Sequence, residues 1–251
     1  MESVPNLSAH IDLAWQAADR LGHRTLDENP GCFLLGAVSP DVRAITKRDR
    51  AEYHYAPLNF SDIGEGVRGL FAAHPGLRGK PKSDETAAAF IAGYITHLVL
   101  DESWITDVFR PHFGGSRAPE DDAESKVMDR ALQLELDRLA EQAVHRAIPA
   151  IGAATIPVDV EVIPPATLEE YRAFVLELLG QGFSWERLRF MARRIAAGSD
   201  EHPAHRVADE FLETMPKSLD RLFDRVSRSE LSDFRERAVD RLAEAIEEYL
   251  S

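Results

Sequence analysis

Cysteine is nearly absent from the sequence: Cys32 is the only one in 251 residues, so no disulfide can form within the chain. A helical chain of this length can be stabilised by its hydrophobic core without covalent links, and few cysteines are typical of a reducing compartment. The N-terminal residues also lack the basic and apolar regions of a signal peptide. We therefore expect a cytoplasmic protein.

Positive charge and long apolar runs are scarce as well. Lys and Arg number 29 against 43 Asp and Glu, and the formal net charge is -14. Such a surface repels a phosphate backbone, so we expect no binding to a nucleic-acid scaffold. The longest apolar stretch, near residues 87–100, contains Gly93, Thr96 and His97 and is too short to span a bilayer. Without a basic amphipathic helix, we expect no stable membrane anchoring.

The apolar residues that are present recur mostly with helical periodicity, which predicts an all-α fold, a multi-helix bundle around a buried central helix. We predict a helical core over residues 1–150 and a C-terminal helical layer, residues 166–251, packed on that core. A proline-rich linker is expected between them, and residues 43–60 are predicted to form a loop. A homodimer through the C-terminal helices stays open.

The predicted central helix, residues 83–109, carries a His-x-x-x-Asp pair on one of its faces. That face is otherwise apolar or aromatic, and it contains Phe90, Tyr94, His97, Asp101, Trp104 and Val108. The other faces are apolar too, which indicates burial on all sides. A buried carboxylate is unfavourable by several kcal/mol unless something compensates its charge. A cation does so, and residues four apart on a helix can reach one ion together.

A second pair with the same spacing, His205 and Asp209, shows that spacing alone is a weak signal. Its neighbours include Glu201, Arg206 and Glu210, which are typical of a solvated face. We predict no metal site there. Even for a buried pair, a His–Asp hydrogen bond within the core is the ordinary interpretation.

Three further residues have side chains of the types that zinc binds. His10 lies on the apolar side of the first predicted helix, Asp41 follows a proline, and His54 lies between two tyrosines. Each has an ordinary interpretation as a core histidine, a helix cap or a packing residue. Together with His97 and Asp101 they provide the His and Asp ligands that a zinc site requires.

The order of these motifs resembles the zinc-dependent phospholipase C family, whose helical fold is shared with the single-strand-specific zinc nucleases. The resemblance covers roughly residues 5–115. It is carried by His10, by Gly-Ala-Val-Ser-Pro-Asp at residues 36–41, by His54 and by Ala-Gly-Tyr-Ile-Thr-His-Leu-Val-Leu-Asp at residues 92–101. It implies hydrolysis of phosphate ester or phosphodiester bonds by a metal-activated water. It also implies five metal ligands, His10, Asp41, His54, His97 and Asp101, with Asp41 and Asp101 as the catalytic residues.

One ligand pair of the family is missing. Its further His-x-x-x-Glu pair has no match between Asp101 and residue 150, because His112 is followed four residues later by Ser116 and His145 by Pro149. We therefore expect one or two zinc ions, or another divalent metal, instead of three.

The same residues leave other functions open. A non-catalytic helical scaffold could use them as a structural metal site or as a buried His/Asp network. HD-type phosphohydrolases also use His and Asp on helices, but they need the two side by side, and no His-Asp dipeptide occurs here. Since the surface is acidic, we expect a small soluble phosphate ester as the substrate in preference to a phospholipid.

Overall fold

The computed structural model describes residues 5–114, 122–157 and 160–251. Within these ranges the chain forms helices and no β-strand, so the predicted all-α fold is confirmed. The α-helices are α1 (Leu7–Leu21), α2 (Arg24–Glu28), α3 (Pro30–Val38), α4 (Arg43–Thr46), α5 (Ala51–His54), α6 (Glu65–Ala73), α7 (Glu85–Trp104), α8 (Ala123–Leu139), α9 (Glu141–Gly152), α10 (Pro165–Gly180), α11 (Arg187–Ile195), α12 (Pro203–Glu213), α13 (Lys217–Arg225) and α14 (Arg228–Leu250). Two 3-10 segments, Ser39–Val42 and Pro75–Lys82, and one π-helical segment, Ile105–Phe113, complete the helical structure.

Three predictions touch residues outside the described ranges. The absence of a signal peptide rests partly on residues 1–4, the missing ligand pair partly on Ser116, and the linker includes residues 158–159. The linker is also shorter than predicted, because α9 continues to Gly152 and α10 begins at Pro165. The described residues between these helices form neither helix nor strand.

The central helix extends beyond its predicted end. It begins after Asp84, whose side chain accepts the N–H of Ala87, and α7 passes directly into the π-helical segment Ile105–Phe113. Pro111 lies inside this segment, although a proline usually ends an α-helix. The wider π turn leaves room for the proline ring, which would clash with the preceding turn of an α-helix.

The prediction of a loop over residues 43–60 is wrong in part, since α4 and α5 lie within it. Both are single turns, too short to show a helical period in the sequence. Tyr55 ends α5 in the left-handed region with a φ of 56°. The Tyr94 hydroxyl donates to the carbonyl of Tyr53 at 2.5 Å and so ties α5 to the central helix. This contact fixes the place of His54, the last residue of α5.

Helices α3 and α7 cross in close backbone contact because glycine occupies each side of the crossing. A Cβ added to Gly93 would lie 1.9 Å from the carbonyl oxygen of Phe33, and one added to Gly36 would lie 2.0 Å from that of Phe90. No side chain larger than hydrogen fits either position. The crossing brings the carbonyl of Ala37 to the central helix.

The C-terminal helices contact the N-terminal core directly. Helix α14 packs against α1 and α7, and α11 and α12 pack against α8. Arg235 on α14 pairs with Asp12 on α1 at 2.8 Å, and Arg241 pairs with Asp107 at 2.7 Å. The division into a core and a C-terminal layer stays a prediction. No helix in the described ranges has the length and apolar character needed to cross a membrane.

Candidate metal centre

The structure brings all five predicted ligands together. Their elements are α1 for His10, the 3-10 segment for Asp41, α5 for His54, and α7 for both His97 and Asp101. Asp41 is partly exposed and the other four are buried, with His97 0% and Asp101 1% exposed. Two overlapping triads form, His10/His97/Asp101 and Asp41/His54/His97, and the potential ligand atoms within each lie within 4.8 Å of one another.

Asp101 is at the centre of the cluster. Its Oδ1 lies 3.3 Å from His10 Nε2, and its Oδ2 lies 3.3 Å from His54 Nε2 and 3.8 Å from His97 Nε2. The rings of His10 and His97 stack with centroids 3.8 Å apart and an interplanar angle of 5°. Each imidazole therefore turns its Nε2 toward the same carboxylate.

Backbone carbonyls orient two of the three rings. His97 Nδ1 is 2.9 Å from the carbonyl oxygen of Ala37, and His54 Nδ1 is 3.3 Å from that of Arg50. A carbonyl oxygen only accepts, so Nδ1 of each ring carries the proton and donates it. Carbonyl partners of this kind commonly orient metal-binding histidines. They leave Nε2 as the atom available to a metal.

Burial and mutual proximity shift the pKa values of the cluster. Burial, with His10 nearby, holds the pKa of His97 well below its usual value, so this ring is neutral. Burial opposes the ionisation of Asp101, but His97, His10 and His54 together hold its pKa well below its usual range. Burial raises the pKa of Asp41, which His54 offsets in part.

In this arrangement, hydrogen-bond acceptors of His97 and Asp101 lie opposite each other with no proton between them. A neutral His97 that donates through Nδ1 has only a lone pair at Nε2, and that lone pair points toward the ionised Asp101. In the described part of the chain, four atoms at the centre of the cluster have no hydrogen-bond partner: Nε2 of His10, His54 and His97, and Oδ1 of Asp101. Buried polar atoms in proteins are normally partnered. A cation among these atoms removes the repulsion.

The residues present fit zinc. Imidazole nitrogen and carboxylate oxygen are ordinary zinc ligands. Ligands placed tetrahedrally at about 2.0–2.1 Å from zinc lie about 3.3 Å from each other. The two shortest separations at Asp101, to His10 and to His54, are of this size. The cluster is therefore able to hold a metal ion.

Sequence reasoning missed two residues at the site, Arg50 and Glu102. Arg50 Nη2 donates to Asp101 Oδ2 at 2.7 Å. It precedes His54 by four residues, and this helical spacing was a signal that could have found it. Glu102 is buried and accepts the N–H of Gly66 at 2.7 Å and that of Gly64. Nothing in its sequence context distinguishes it from a surface glutamate next to Asp101.

A small cavity opens beside the cluster. The space in it that a water molecule can occupy measures about 10 Å³. The residues around it are Arg50, His54, Ala56, Pro57, Phe60, Leu98 and Glu102. Pockets for drug-sized ligands measure about 300–1,000 Å³. This cavity has room for about one water molecule, so it marks an approach to the cluster and is not a formed ligand pocket.

The all-helical fold and the buried His/Asp cluster define a helical protein equipped to bind a divalent metal. Residues 9–128 match the family model described as zinc dependent phospholipase C, a segment that includes all five predicted ligands. The matched segment is slightly less than half of the chain, and the resemblance predicted from the sequence motifs is confirmed over these residues. The family's zinc dependence and the cluster agree with the predicted zinc cofactor. No curated protein and no solved structure matches the chain.

Proposed function

We propose that the protein is a cytoplasmic, zinc-dependent phosphoesterase that hydrolyses a small soluble phosphate ester or phosphodiester. The observation that carries the proposal is the buried cluster of unpartnered nitrogen and oxygen atoms around Asp101. The family match over residues 9–128 supports phosphate-ester chemistry. The formal net charge of -14 supports a soluble substrate over a phospholipid.

The geometry supports one or two ions. His97 has a single free nitrogen, because Nδ1 donates to Ala37, so it serves only one ion. Asp101 presents Oδ1 to His10 and Oδ2 to His54, so it would be able to help hold either ion. We assign His10, His97 and Asp101 to one ion. His54, Asp41 and the second oxygen of Asp101 are assigned to the other.

Zinc supplies a bound water whose pKa is lowered toward neutrality and a positive charge that stabilises the phosphate oxygens. The protein residues orient the reactants and move the proton. Asp41 is the more exposed carboxylate of the cluster, and one of its two oxygens would stay available to accept a proton. We assign the Asp41 carboxylate to accept a proton from the attacking water. Arg50 donates to Asp101, and Asp101 in turn orients the three histidine side chains around it.

Elemental analysis and an activity assay on the full-length protein test the proposal. We expect one or two zinc ions per chain and hydrolysis of a chromogenic phosphate ester or phosphodiester, lost on chelation and restored by zinc. Asp41→Asn should abolish turnover, with at least one ion retained. Full turnover by the chelated protein would contradict a metal-dependent reaction.

The absence of the family's His-x-x-x-Glu pair favours one rival function, a non-catalytic helical scaffold with a structural metal. The same experiment would then give a different result. Zinc would be bound and chelation would lower the melting temperature, but no phosphate ester would be hydrolysed at any zinc concentration.

A further inference from the structure

We propose that Arg50 binds the phosphate group of the substrate at the mouth of the metal centre. The proposal rests on the proposed function and specifies how this site recognises its substrate. It gives a role in substrate binding to Arg50, which is not one of the five predicted metal ligands.

Arg50 connects the cavity to the metal ligands. Its side chain is 20% exposed and forms part of the cavity wall, while its Nη2 lies 2.7 Å from Asp101 Oδ2. Its backbone carbonyl lies 3.3 Å from His54 Nδ1. A phosphate at the opening of the cavity would therefore meet the guanidinium directly beside the ligand atoms.

A bound metal would weaken the pairing of Arg50 with Asp101. Arg50 Nη2 now donates to Asp101 Oδ2 at 2.7 Å, and a divalent ion at the cluster would compete for this carboxylate. Glu102 also lines the cavity, but its oxygens accept the N–H groups of Gly64 and Gly66. The remaining donors of Arg50 would then be available to an incoming phosphate, which the positive charge of the metal would also attract.

The other charged side chains near the cavity are engaged elsewhere. Among the described residues that line it, Arg50 is the only arginine or lysine. Arg110, which stands close by, donates to the carbonyl of Leu58 at 2.9 Å and lies over the ring of Phe60. The oxygens of Glu102 accept backbone N–H groups, so this carboxylate is held against the cavity wall.

Guanidinium chemistry also fits the substrate class. Its planar fork donates two parallel hydrogen bonds to phosphate oxygens, which an ammonium group cannot do. We therefore expect Arg50→Lys to recover only part of the affinity that Arg50→Gln loses.

The test measures the binding of inorganic phosphate to the zinc-loaded, full-length protein by calorimetry, with zinc content and melting temperature recorded for each variant. Arg50→Gln should weaken phosphate binding at least about 10-fold, the effect of losing hydrogen bonds to a charged group, with zinc content unchanged. The matched control is Arg48→Gln, since Arg48 is 64% exposed, pairs with Glu52 and does not line the cavity. The control should bind phosphate as the parent does.

Three results of the binding experiment would overturn the assignment of Arg50. The first is unchanged phosphate affinity in Arg50→Gln. The second is a loss of zinc in parallel with the loss of phosphate binding in both Arg50 variants, which would make Arg50 a support for the metal ligands. The third is an equal loss in Arg48→Gln. Because phosphate binding is measured without turnover, an Arg50-dependent loss in a protein without esterase activity would refute the proposed function alone. Turnover that is insensitive to Arg50→Gln would refute only the role of Arg50.

Discussion

Two His-x-x-x-Asp pairs with identical spacing occupy contrasting places in the molecule. His97 and Asp101 lie on the central helix with 0% and 1% exposure, among other histidines. His205 and Asp209 lie on α12 at the surface, as their charged neighbours predicted. His205 Nε2 lies 3.0 Å from the carbonyl of Ser199, and Asp209, half exposed, accepts from Arg189 at 2.7 Å. The surroundings of each pair decide its chemistry, since spacing is common to both.

A third acid, Asp137 on α8, sharpens this comparison. It is nearly as buried as Asp101, and the neutral side-chain amide of Asn6 donates to its Oδ2 at 2.9 Å. Burial raises its pKa to about 7. Asp101, surrounded by imidazoles, has a pKa shifted in the opposite direction. A buried carboxylate thus stays ionised where its surroundings can accommodate a charge, and protonates readily where they cannot.

The largest expected effect is a loss of zinc binding when the buried His-x-x-x-Asp pair is substituted, but not when the exposed pair is. His97→Ala and Asp101→Asn should each weaken zinc binding by more than the about 10–100-fold that loss of an outer-shell partner causes. Their counterparts His205→Ala and Asp209→Asn should leave zinc content unchanged. Elemental analysis after dialysis against a weak chelator measures the difference.

An equal loss in both sets would show that the zinc is not bound at the buried cluster. Full zinc content in both buried variants would show the same. The melting temperature without metal provides the control for folding, because a misfolded variant would lose zinc for an unrelated reason.

The different surroundings of the pairs explain how much the sequence could predict. The apolar stripe around His97 identified the buried helix and its need for a cation, and His10, Asp41 and His54 followed from ligand type and motif order. Arg50 was missed because α5 is a single turn within a segment predicted to be a loop. The α3–α7 crossing could not be predicted either, because a glycine in a helical sequence does not show which other helix will pack against its backbone.

The next effect is a pH dependence of the free energy of unfolding, which tests whether the pKa of Asp137 is raised. Because the folded-state pKa of Asp137, about 7, lies above its ordinary value of 3.8, the folded protein binds the proton more tightly than the unfolded chain. Its contribution to stability is fully present below pH 4 and is lost as the pH rises through 7. A shift of about three units corresponds to roughly 4 kcal/mol.

Urea unfolding of the parent and of Asp137→Asn at pH 4 and pH 8 measures this difference. The parent should lose on the order of 4 kcal/mol more than the variant between these two pH values, because titration of all other groups is common to both. If the free energies of unfolding of the parent and the variant changed equally with pH, the pKa of Asp137 would not be raised.

A smaller effect is expected at the crossing of α3 and α7, which positions the buried His97–Asp101 pair. In Gly93→Ala the new Cβ would lie 1.9 Å from the carbonyl oxygen of Phe33. Helices α3 and α7 must then separate, which we expect to lower the free energy of unfolding by about 3 kcal/mol and to weaken the bond between His97 and the Ala37 carbonyl. The control is Gly152→Ala in α9, whose Cβ would meet only Leu176 at 3.9 Å. Denaturant unfolding should show no loss in the control, because alanine favours a helix over glycine.

The smallest effect belongs to the exposed pair. Asp209→Asn removes the partner of Arg189, but Arg189 also contacts Glu186 and both side chains are well hydrated. An ion pair in water gains little and restricts two mobile side chains. We therefore expect a urea midpoint that cannot be distinguished from that of the parent at either low or high salt. A clear, salt-sensitive loss would mean that the surface pair contributes to stability as a buried one does, and burial would then no longer explain why the two His-x-x-x-Asp motifs differ.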